Sequence, residues 1–194
     1  MFNELRIIAG LGNPDEKYAK TLHNAGFWFV DELARRGGAG FAYQKKFDAD
    51  CCRVGLSGRD VWLVKPQSYM NLSGGPVRAV LDYYRLAPSQ LLVVHDEIDL
   101  SPGTVRLKKG GGHGGHNGVR DVIKHCGADF LRLRVGVGHP GEKNRVTGYV
   151  LKRGSGDVEA AVEKNIDEAI DVLPLLIEGD LNAAMKKLHT KSES

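Results

Sequence analysis

Apolar residues recur along this chain with two different periods, and segments of the two kinds alternate. A short apolar run such as Leu5–Leu11, which ends at Gly12-Asn13-Pro14, is typical of a buried strand. The turn at Ser57-Gly58 separates two further predicted strands, and the alternating residues of the last two segments are typical of strands with one exposed face. The predicted strands cover residues 5–11, 43–56, 60–66, 91–94, 104–108 and 131–137.

Apolar residues at helical spacing lie between and after these strands. Phe27, Val30 and Leu33 predict a helix that follows His23-Asn24 and ends at Gly37-Gly38. Further helices are predicted from near residue 73 to before 88, over residues 117–125, from about residue 156 onward, and from about 180, where an aspartate is typical of an N-cap. This alternation, without repeats or linkers, predicts a single α/β domain over residues 1–194, with a twisted, mostly parallel or mixed sheet flanked by helices.

Composition and cysteine content narrow the class of protein. Hydrophobic residues make up 42% of the chain and charged residues 26%, as in a globular protein. No apolar stretch is long enough to cross a membrane, and the first residues do not have the pattern of a signal peptide. Three cysteines, of which Cys51 and Cys52 are adjacent, do not form a disulfide framework. We therefore expect a cytoplasmic protein that does not insert into a membrane.

The net charge of +3 is unevenly distributed. Residues 103–153 contain eleven lysines and arginines but three acidic residues, so the rest of the chain is mildly acidic. A basic segment of this kind favours the binding of a polyanion such as nucleic acid, and a solvated lysine-rich surface is the alternative.

A run of nine residues, Gly110–Gly118, contains six glycines together with His113, His116 and Asn117. Glycine contributes nothing to a core and costs backbone entropy, so such a run indicates a backbone that bends sharply and admits another molecule. The run lies within the basic segment, which supports the polyanion interpretation.

Two other polar pairs, His23-Asn24 and His95-Asp96, are further candidate groups. Because ligands of open α/β sheets bind beyond the carboxyl ends of strands, we expect Asn13 and His95-Asp96 to meet at one site. A carboxylate that accepts a hydrogen bond from an imidazole makes it a general base near neutral pH, which predicts this role for His23 with Asp96. Pairing of Asp96 with a lysine is the alternative.

Amides form the last group of candidates. Asn13, Asn71 and Asn117 can each donate a hydrogen bond to a developing oxyanion without titrating. Each of them stands next to glycine, proline or another turn-forming segment, so a role in a turn is the alternative for each one.

Three common cofactor patterns are not supported. Gly10-Leu11-Gly12-Asn13-Pro14-Asp15 resembles a dinucleotide fingerprint, but Asp15 at the third glycine position would repel a pyrophosphate. The chain has no phosphate-binding loop of the Gly-x-x-x-x-Gly-Lys type. A metal site is conceivable from His113, His116, His95, Asp96 and Asp99, but flexible glycines are poor at fixing metal geometry. We expect neither a metal nor another cofactor.

The segments that carry these groups closely resemble those of the bacterial peptidyl-tRNA hydrolase family. The matching segments follow the family's order over the first three quarters of the chain, and they are Gly10–Pro14 with Tyr18, Thr21–Gly26, Pro66–Gly74, His95–Leu100, Gly110–Gly118 and Arg134–Gly141. The chain departs from the family's pattern at Asp15, Leu22 and Ser68, where glycine, arginine and threonine are usual. Leu22 removes one cation beside the expected base, which would change tRNA affinity rather than the chemistry.

The resemblance implies hydrolysis of the ester between a peptide's carboxyl group and the 3′-terminal ribose of tRNA. It also implies a monomeric enzyme, free of metal and cofactor, that recycles tRNA from aborted translation. By position, His23 would be the general base and Asp96 its orienting partner, and Asn13 would read the peptide and help to reject unblocked aminoacyl-tRNA. The substrate's 3′ end would meet Tyr18, Tyr69, Asn71 and Asn117, with His116 supporting that wall. The phosphates of the acceptor stem would meet Arg106, Lys108, Arg134 and Lys143.

Two other functions remain open at this point. A non-catalytic RNA-binding relative would keep the fold and the basic surface, although the presence of His23, Asp96 and Asn13 argues against it. A metal-dependent esterase or nuclease would instead use the histidine-rich glycine run.

Overall fold

Strands and helices alternate in the computed structural model, which describes residues 4–191 of the chain. The strands are β1 (Ile7–Gly10), β2 (Ala42–Gln44), β3 (Ala49–Leu56), β4 (Arg59–Pro66), β5 (Leu91–Glu97), β6 (Val105–Lys109) and β7 (Leu131–Gly136). The helices are α1 (Ala25–Arg36), α2 (Gly74–Tyr83), α3 (Asn117–Cys126), α4 (Val146–Val150), α5 (Gly156–Ile177) and α6 (Leu181–Lys191). The outermost residues of the predicted domain, 1–3 and 192–194, lie outside the described residues.

All seven strands join one sheet in the order β2-β3-β4-β1-β5-β7-β6. Its four central strands, β4, β1, β5 and β7, are parallel to one another, and β2, β3 and β6 add antiparallel pairs at the two sides. The prediction of a single α/β domain with a mixed sheet is confirmed. Because β1 and β5 are parallel neighbours, their carboxyl ends lie side by side, where ligands of such sheets bind.

Helices cover both faces of the sheet, as the unbroken apolar runs of its central strands require. Alternate residues of β1 point to opposite sides, so that Ile8 packs with residues of α1, α5 and α6. Ile7 and Ala9 pack in a second core with residues of α2 and α3. Among residues 4–191, no helix combines the length and the apolar character that crossing a membrane requires.

The predicted strand over residues 43–56 is wrong as a single element. The structure divides it into β2 and β3 by a turn in which Asp48 adopts a positive φ of 50°. Aspartate tolerates this left-handed conformation better than most residues, and the buried Phe47 holds the turn against the core. The chain therefore reverses direction twice in this region, first between β2 and β3 at Lys45–Asp48 and again between β3 and β4 at Ser57-Gly58.

Two other differences concern the polar residues of the sheet. Strand β5 continues past the apolar run to Glu97, so His95 and Asp96 lie within the strand at its carboxyl end and are buried. The prediction that β7 has an exposed face is also wrong, because Arg132 is only 2% exposed and Arg134 is half-buried. Both arginines are covered by contacts with loop carbonyls or a carboxylate, which the alternating pattern does not reveal.

Candidate active site

Two histidines share the carboxylate of Asp96 at the carboxyl end of β5. Oδ2 of Asp96 lies 2.9 Å from Nδ1 of His23, and Oδ1 lies 2.8 Å from Nε2 of His116. Asp96 is 3% exposed, so these imidazoles replace the water that would otherwise solvate its charge. The structure thus joins His23 to Asp96 as the sequence predicts, and the alternative of a lysine partner for Asp96 is wrong.

Close packing of α1 on β1 brings His23 to this carboxylate. The residue lies in a short 3-10 turn, Leu22–Asn24, directly before α1. A Cβ on Gly10 would overlap the carbonyl oxygen of Gly26, so only glycines allow the start of α1 to approach the end of β1 this closely. The side chain of Asn24 bonds both the backbone N–H and the carbonyl of Asn13, which fixes the turn to the loop after β1.

The charge of Asp96 controls the protonation of His23. Burial alone would lower the pKa of His23, but the charge and the hydrogen bond of Asp96 outweigh it, so the pKa is raised above its ordinary value. Burial would raise the pKa of Asp96, but the two histidines overcome this effect and hold that pKa well below its usual range. An ionised Asp96 accepts the Nδ1–H of His23, which leaves Nε2 of neutral His23 as the basic nitrogen.

The second histidine is fixed in one tautomer by the helix that follows it. His116 is the N-cap of α3, and its Nδ1 accepts hydrogen bonds from the N–H groups of Gly118 and Val119 at 3.1 and 3.2 Å. Its proton must therefore be on Nε2, which donates to Asp96. The rings of His116 and His23 are 4.9 Å apart. His116 thus positions Asp96 while Asp96 orients His23.

His95 is buried next to Asp96 and stays neutral. Burial, followed by the influence of His116, lowers the pKa of His95 to about 3. Its Nδ1 donates to the carbonyl oxygen of Asp96 at 2.8 Å. Neutral His95 therefore supports the backbone that carries the carboxylate.

The alternative metal set named from the sequence, with His95, Asp99 and His113 beside Asp96 and His116, is not brought together. His95 is buried behind the cleft, and Nδ1 of His113 accepts a hydrogen bond from the N–H of Gly115. The described residues bring together a different group of possible ligands, His23, Asp96 and His116, whose donor atoms lie within 4.8 Å of one another. The hydrogen bonds between these three already use the nitrogens that face the carboxylate.

A cleft of about 260 Å³ opens beside the His23–Asp96 pair. One wall carries Asn13, Tyr69 and Asn71, and the N-terminal end of α3 with the glycine run forms another. Oδ1 of Asn13 accepts the N–H of Met70 at 2.8 Å, so the amide NH2 of this buried residue is the part left to donate. The predicted site residues that line the cleft are Asn13, His23, Tyr69, Asn71, Asp96, His116 and Asn117.

The cleft also has an apolar wall that the sequence does not predict. It is formed by Val146, Thr147, Val150 and Leu151 from α4 and its C-terminal end. The spacing of four between Val146 and Val150 is the only local signal, and it is too short to predict a helix.

The family follows from a comparison with known proteins. The model of the peptidyl-tRNA hydrolase family matches residues 7–194. The chain belongs to the peptidyl-tRNA hydrolase family. The resemblance seen in the six matching segments is therefore confirmed over almost the whole chain.

Individual members of the family are similar along their full length. The peptidyl-tRNA hydrolase of Xanthomonas euvesicatoria is 52% identical over 190 residues, which cover 97% of this chain and 98% of that protein. The peptidyl-tRNA hydrolase of Stenotrophomonas maltophilia is 51% identical and covers 96% of this chain and 97% of its own. A crystal structure of the Acinetobacter baumannii peptidyl-tRNA hydrolase superposes with a TM-score of 0.93 at 45% identity, covering 95% of this chain and 94% of that one.

The departures from the family's pattern have visible structural consequences. Leu22 is fully buried and packs in the core with α1, so a core side chain stands here where the family's pattern has arginine. Asp15 accepts a hydrogen bond of 3.4 Å from the hydroxyl of Tyr69, at the edge of the cleft. The hydroxyl of Ser68 donates to the carbonyl of Leu72 and stabilises the turn that presents Asn71.

The remaining predicted site residues lie around the cleft and not within it. Tyr18 is half-buried in a separate 3-10 turn, Glu16–Tyr18, and does not line the cleft. Arg134 is paired with Glu97 at 2.9 Å. Lys108 is exposed on β6, the half-buried Arg106 lies two residues before it, and Lys143 is exposed in a turn before α4.

Proposed function

We propose that His23 is the general base that activates water for the reaction of this family, hydrolysis of the ester of peptidyl-tRNA. One observation carries the proposal: the only carboxylate that His23 bonds among the described residues is the buried Asp96, and the pair lies in an open cleft. The orienting carboxylate leaves Nε2 of His23 free to take a proton, and within residues 4–191 this nitrogen has no hydrogen-bond partner.

The reaction needs no covalent intermediate with the enzyme. Nε2 of His23 accepts a proton from water as the water oxygen attacks the ester carbonyl carbon, and a tetrahedral oxyanion forms. The oxyanion then collapses, the bond to the ribose oxygen breaks, and the imidazolium returns its proton to that oxygen. Asp96 stabilises the transient imidazolium. General-base catalysis of this kind contributes about 10²- to 10⁴-fold.

The amides in the cleft serve the oxyanion and the peptide. Asn13 is held by Met70 and Asn24, so its NH2 is preorganised to donate to the substrate. A preorganised donor to an oxyanion contributes roughly 3–4 kcal/mol in favourable cases. We assign Asn13 to the peptide carbonyl region, where it helps to reject unblocked aminoacyl-tRNA. Asn71, Asn117 and Tyr69, which line the cleft, hold the 3′ end of the substrate together with Tyr18.

The basic segment holds the tRNA. Exposed Lys108 and Lys143 are available for phosphates of the acceptor stem, and Arg106 and Arg134 extend the same surface along β6 and β7. Such contacts are insensitive to base sequence, which suits an enzyme that acts on many tRNAs.

Three further points complete the proposal. We propose that the enzyme acts as a monomer, without metal or cofactor, because an activated ester can be cleaved by a positioned water and a base. It releases tRNA for reuse after aborted translation. Its place is the cytoplasm, where translation occurs, and its three buried cysteines are unpaired as expected in a reducing compartment.

The direct test is incubation with N-acetyl-aminoacyl-tRNA in the presence and absence of a chelator, with deacylation as the readout. Turnover in both conditions is expected. No turnover in either condition would indicate a non-catalytic RNA-binding protein. Turnover that is lost in chelator would favour a metal-dependent hydrolase that uses His23, Asp96 and His116 as ligands.

A further inference from the structure

A buried arginine without an acidic partner lies behind the glycine run. Arg132 is 2% exposed, and among the described residues no carboxylate forms an ion pair with it. Its guanidinium instead donates to the carbonyl oxygens of Gly111, at 2.7 Å, and of Gly112, and more weakly to Ala128 at 3.4 Å. The ring of Phe130 lies 4.5 Å from the guanidinium carbon.

Satisfying these carbonyls does not require a charged side chain. Gly111 and Gly112 are exposed, so water molecules can donate the same hydrogen bonds to their carbonyls without the cost of burying a charge. A buried cation is expensive unless its donors are used well, and Nε of Arg132 has no partner among residues 4–191. We therefore attribute the presence of Arg132 to the orientation that it imposes on the peptide groups after Gly111 and Gly112.

A trans peptide unit carries its C=O and its N–H on opposite sides. Because the carbonyls of Gly111 and Gly112 point to Arg132, the N–H groups of Gly112 and His113 point away from it. Neither of these N–H groups donates to an acceptor in the described part of the chain. Gly111 has a φ of +93°, a conformation that allows this bend and that other residues rarely adopt.

A cation lies on the same segment. Lys108 is the cross-strand partner of Arg132 in the β6–β7 ladder. A Cβ on Gly111 would lie 2.9 Å from Nζ of Lys108, so the ammonium group rests directly against the glycine backbone. Two successive N–H groups without an acceptor in the described chain, one residue along from the glycine that the ammonium contacts, have the chemistry of an oxyanion site.

We propose that the N–H groups of Gly112 and His113, with Lys108, bind a phosphodiester of the tRNA 3′ end, and that Arg132 is the positioning residue that directs them. The inference rests on the proposed function, because it gives the ligand as the 3′-terminal nucleotides. The run continues through Gly114, Gly115 and His116, which line the catalytic cleft, so a nucleotide held here would lie next to the ester.

The probe is the dinucleotide cytidylyl-(3′→5′)-adenosine, compared with its uncharged methylphosphonate analogue. In titrations of the wild-type protein, the amide NMR signals of Gly112 and His113 should shift with the charged dinucleotide. We expect it to bind about tenfold more tightly than the neutral analogue, as is usual for hydrogen bonds to a charged group. Equal affinity for both probes, or unshifted amides, would overturn the site without reference to any variant.

Variants separate positioning from charge. Arg132→Met should reduce the tenfold preference to less than about threefold, and Arg132→Lys, which reaches one carbonyl at a time, should retain part of it. Lys109→Met removes an exposed charge from the same strand and should leave the preference unchanged. Retention of the full preference by Arg132→Met would overturn the role of Arg132.

Kinetics distinguish this inference from the proposed function. With N-acetyl-aminoacyl-tRNA, Arg132→Met should raise KM about tenfold with kcat within about threefold of wild type, because the His23–Asp96 pair is not touched. An equal loss in kcat and kcat/KM would indicate a merely structural role for Arg132. Failure of the wild-type protein to hydrolyse the substrate would contradict the proposed function, whereas hydrolysis with equal affinity for the two dinucleotides would contradict this inference alone.

Discussion

Replacement of Asp96 by asparagine removes the charge that orients His23 and keeps the shape of the site. Two effects follow. The imidazolium that forms during water attack loses its counter-charge, and an asparagine NH2 that donates to Nδ1 of His23 would force the proton onto Nε2, where it blocks the base. Activity should fall for both reasons, while the fold of the cleft is preserved.

The first effect can be estimated from the geometry. Charges about 4 Å apart attract each other by about 4 kcal/mol at an effective dielectric constant of about 20. The His23 side chain is 14% exposed and that of Asp96 is 2% exposed, so water screens only part of this attraction. A loss of about 2–4 kcal/mol corresponds to a decrease of about 30- to 1,000-fold in kcat, and the wrong tautomer increases it further.

The assay is single-turnover deacylation of N-acetyl-aminoacyl-tRNA across pH. In the wild type, kcat/KM should rise with pH as His23 loses its proton, with an apparent pKa above the ordinary value for histidine, because the charge and hydrogen bond of Asp96 favour the protonated form over the opposing effect of burial. Asp96→Asn should shift this limb to lower pH, and Asp99→Asn, an exposed neighbour, should leave it unchanged. A kcat for Asp96→Asn within about threefold of wild type would refute the role given to the carboxylate.

Three further outcomes are expected. His23→Ala should abolish turnover with little loss of tRNA affinity in a filter-binding assay, and an active variant would remove His23 from the mechanism. Lys108→Ala should weaken tRNA binding and reduce the slope of log K against log salt by about one, and an unchanged slope would place this residue outside the footprint. His95 is held neutral with a folded pKa of about 3, so the unfolded chain binds one more proton between that pH and about 6.5, and stability must fall as pH falls through this window. The free energy of unfolding should accordingly depend on pH less steeply in His95→Gln than in wild type, by about 2 kcal/mol between pH 7 and 5, as measured by urea denaturation; parallel curves would show that His95 is not held neutral.

The apolar pattern predicts the layers of the fold and the meeting of the candidate catalytic groups. Asn13 and Asp96 follow apolar runs that become the parallel neighbours β1 and β5, so their proximity depends on sheet topology alone. His23 joins them because its turn lies directly before α1, the helix that follows β1. The proximity of these three residues depends only on nearby sequence and on strand order, so the sequence pattern is enough to predict it.

Other parts of the site depend on contacts that no local pattern encodes. The sharing of Asp96 between His23 and His116 needs the cap of α3 to lie beside α1, across a sequence separation of more than ninety residues. The burial of Arg132 depends on carbonyls of a distant loop, and the turn at Asp48 depends on one aspartate in a left-handed conformation. Tyr18 matches the family's pattern but lies in a separate turn, Glu16–Tyr18, outside the cleft lining.

The most direct test of His23 as the base is a ¹⁵N NMR titration of its imidazole, compared with the pH dependence of kcat/KM. We predict a neutral ring protonated on Nδ1, a pKa above that of ordinary histidine, and the same pKa in the kinetic profile. A neutral ring protonated on Nε2, or a kinetic pKa unrelated to that of His23, would contradict this prediction.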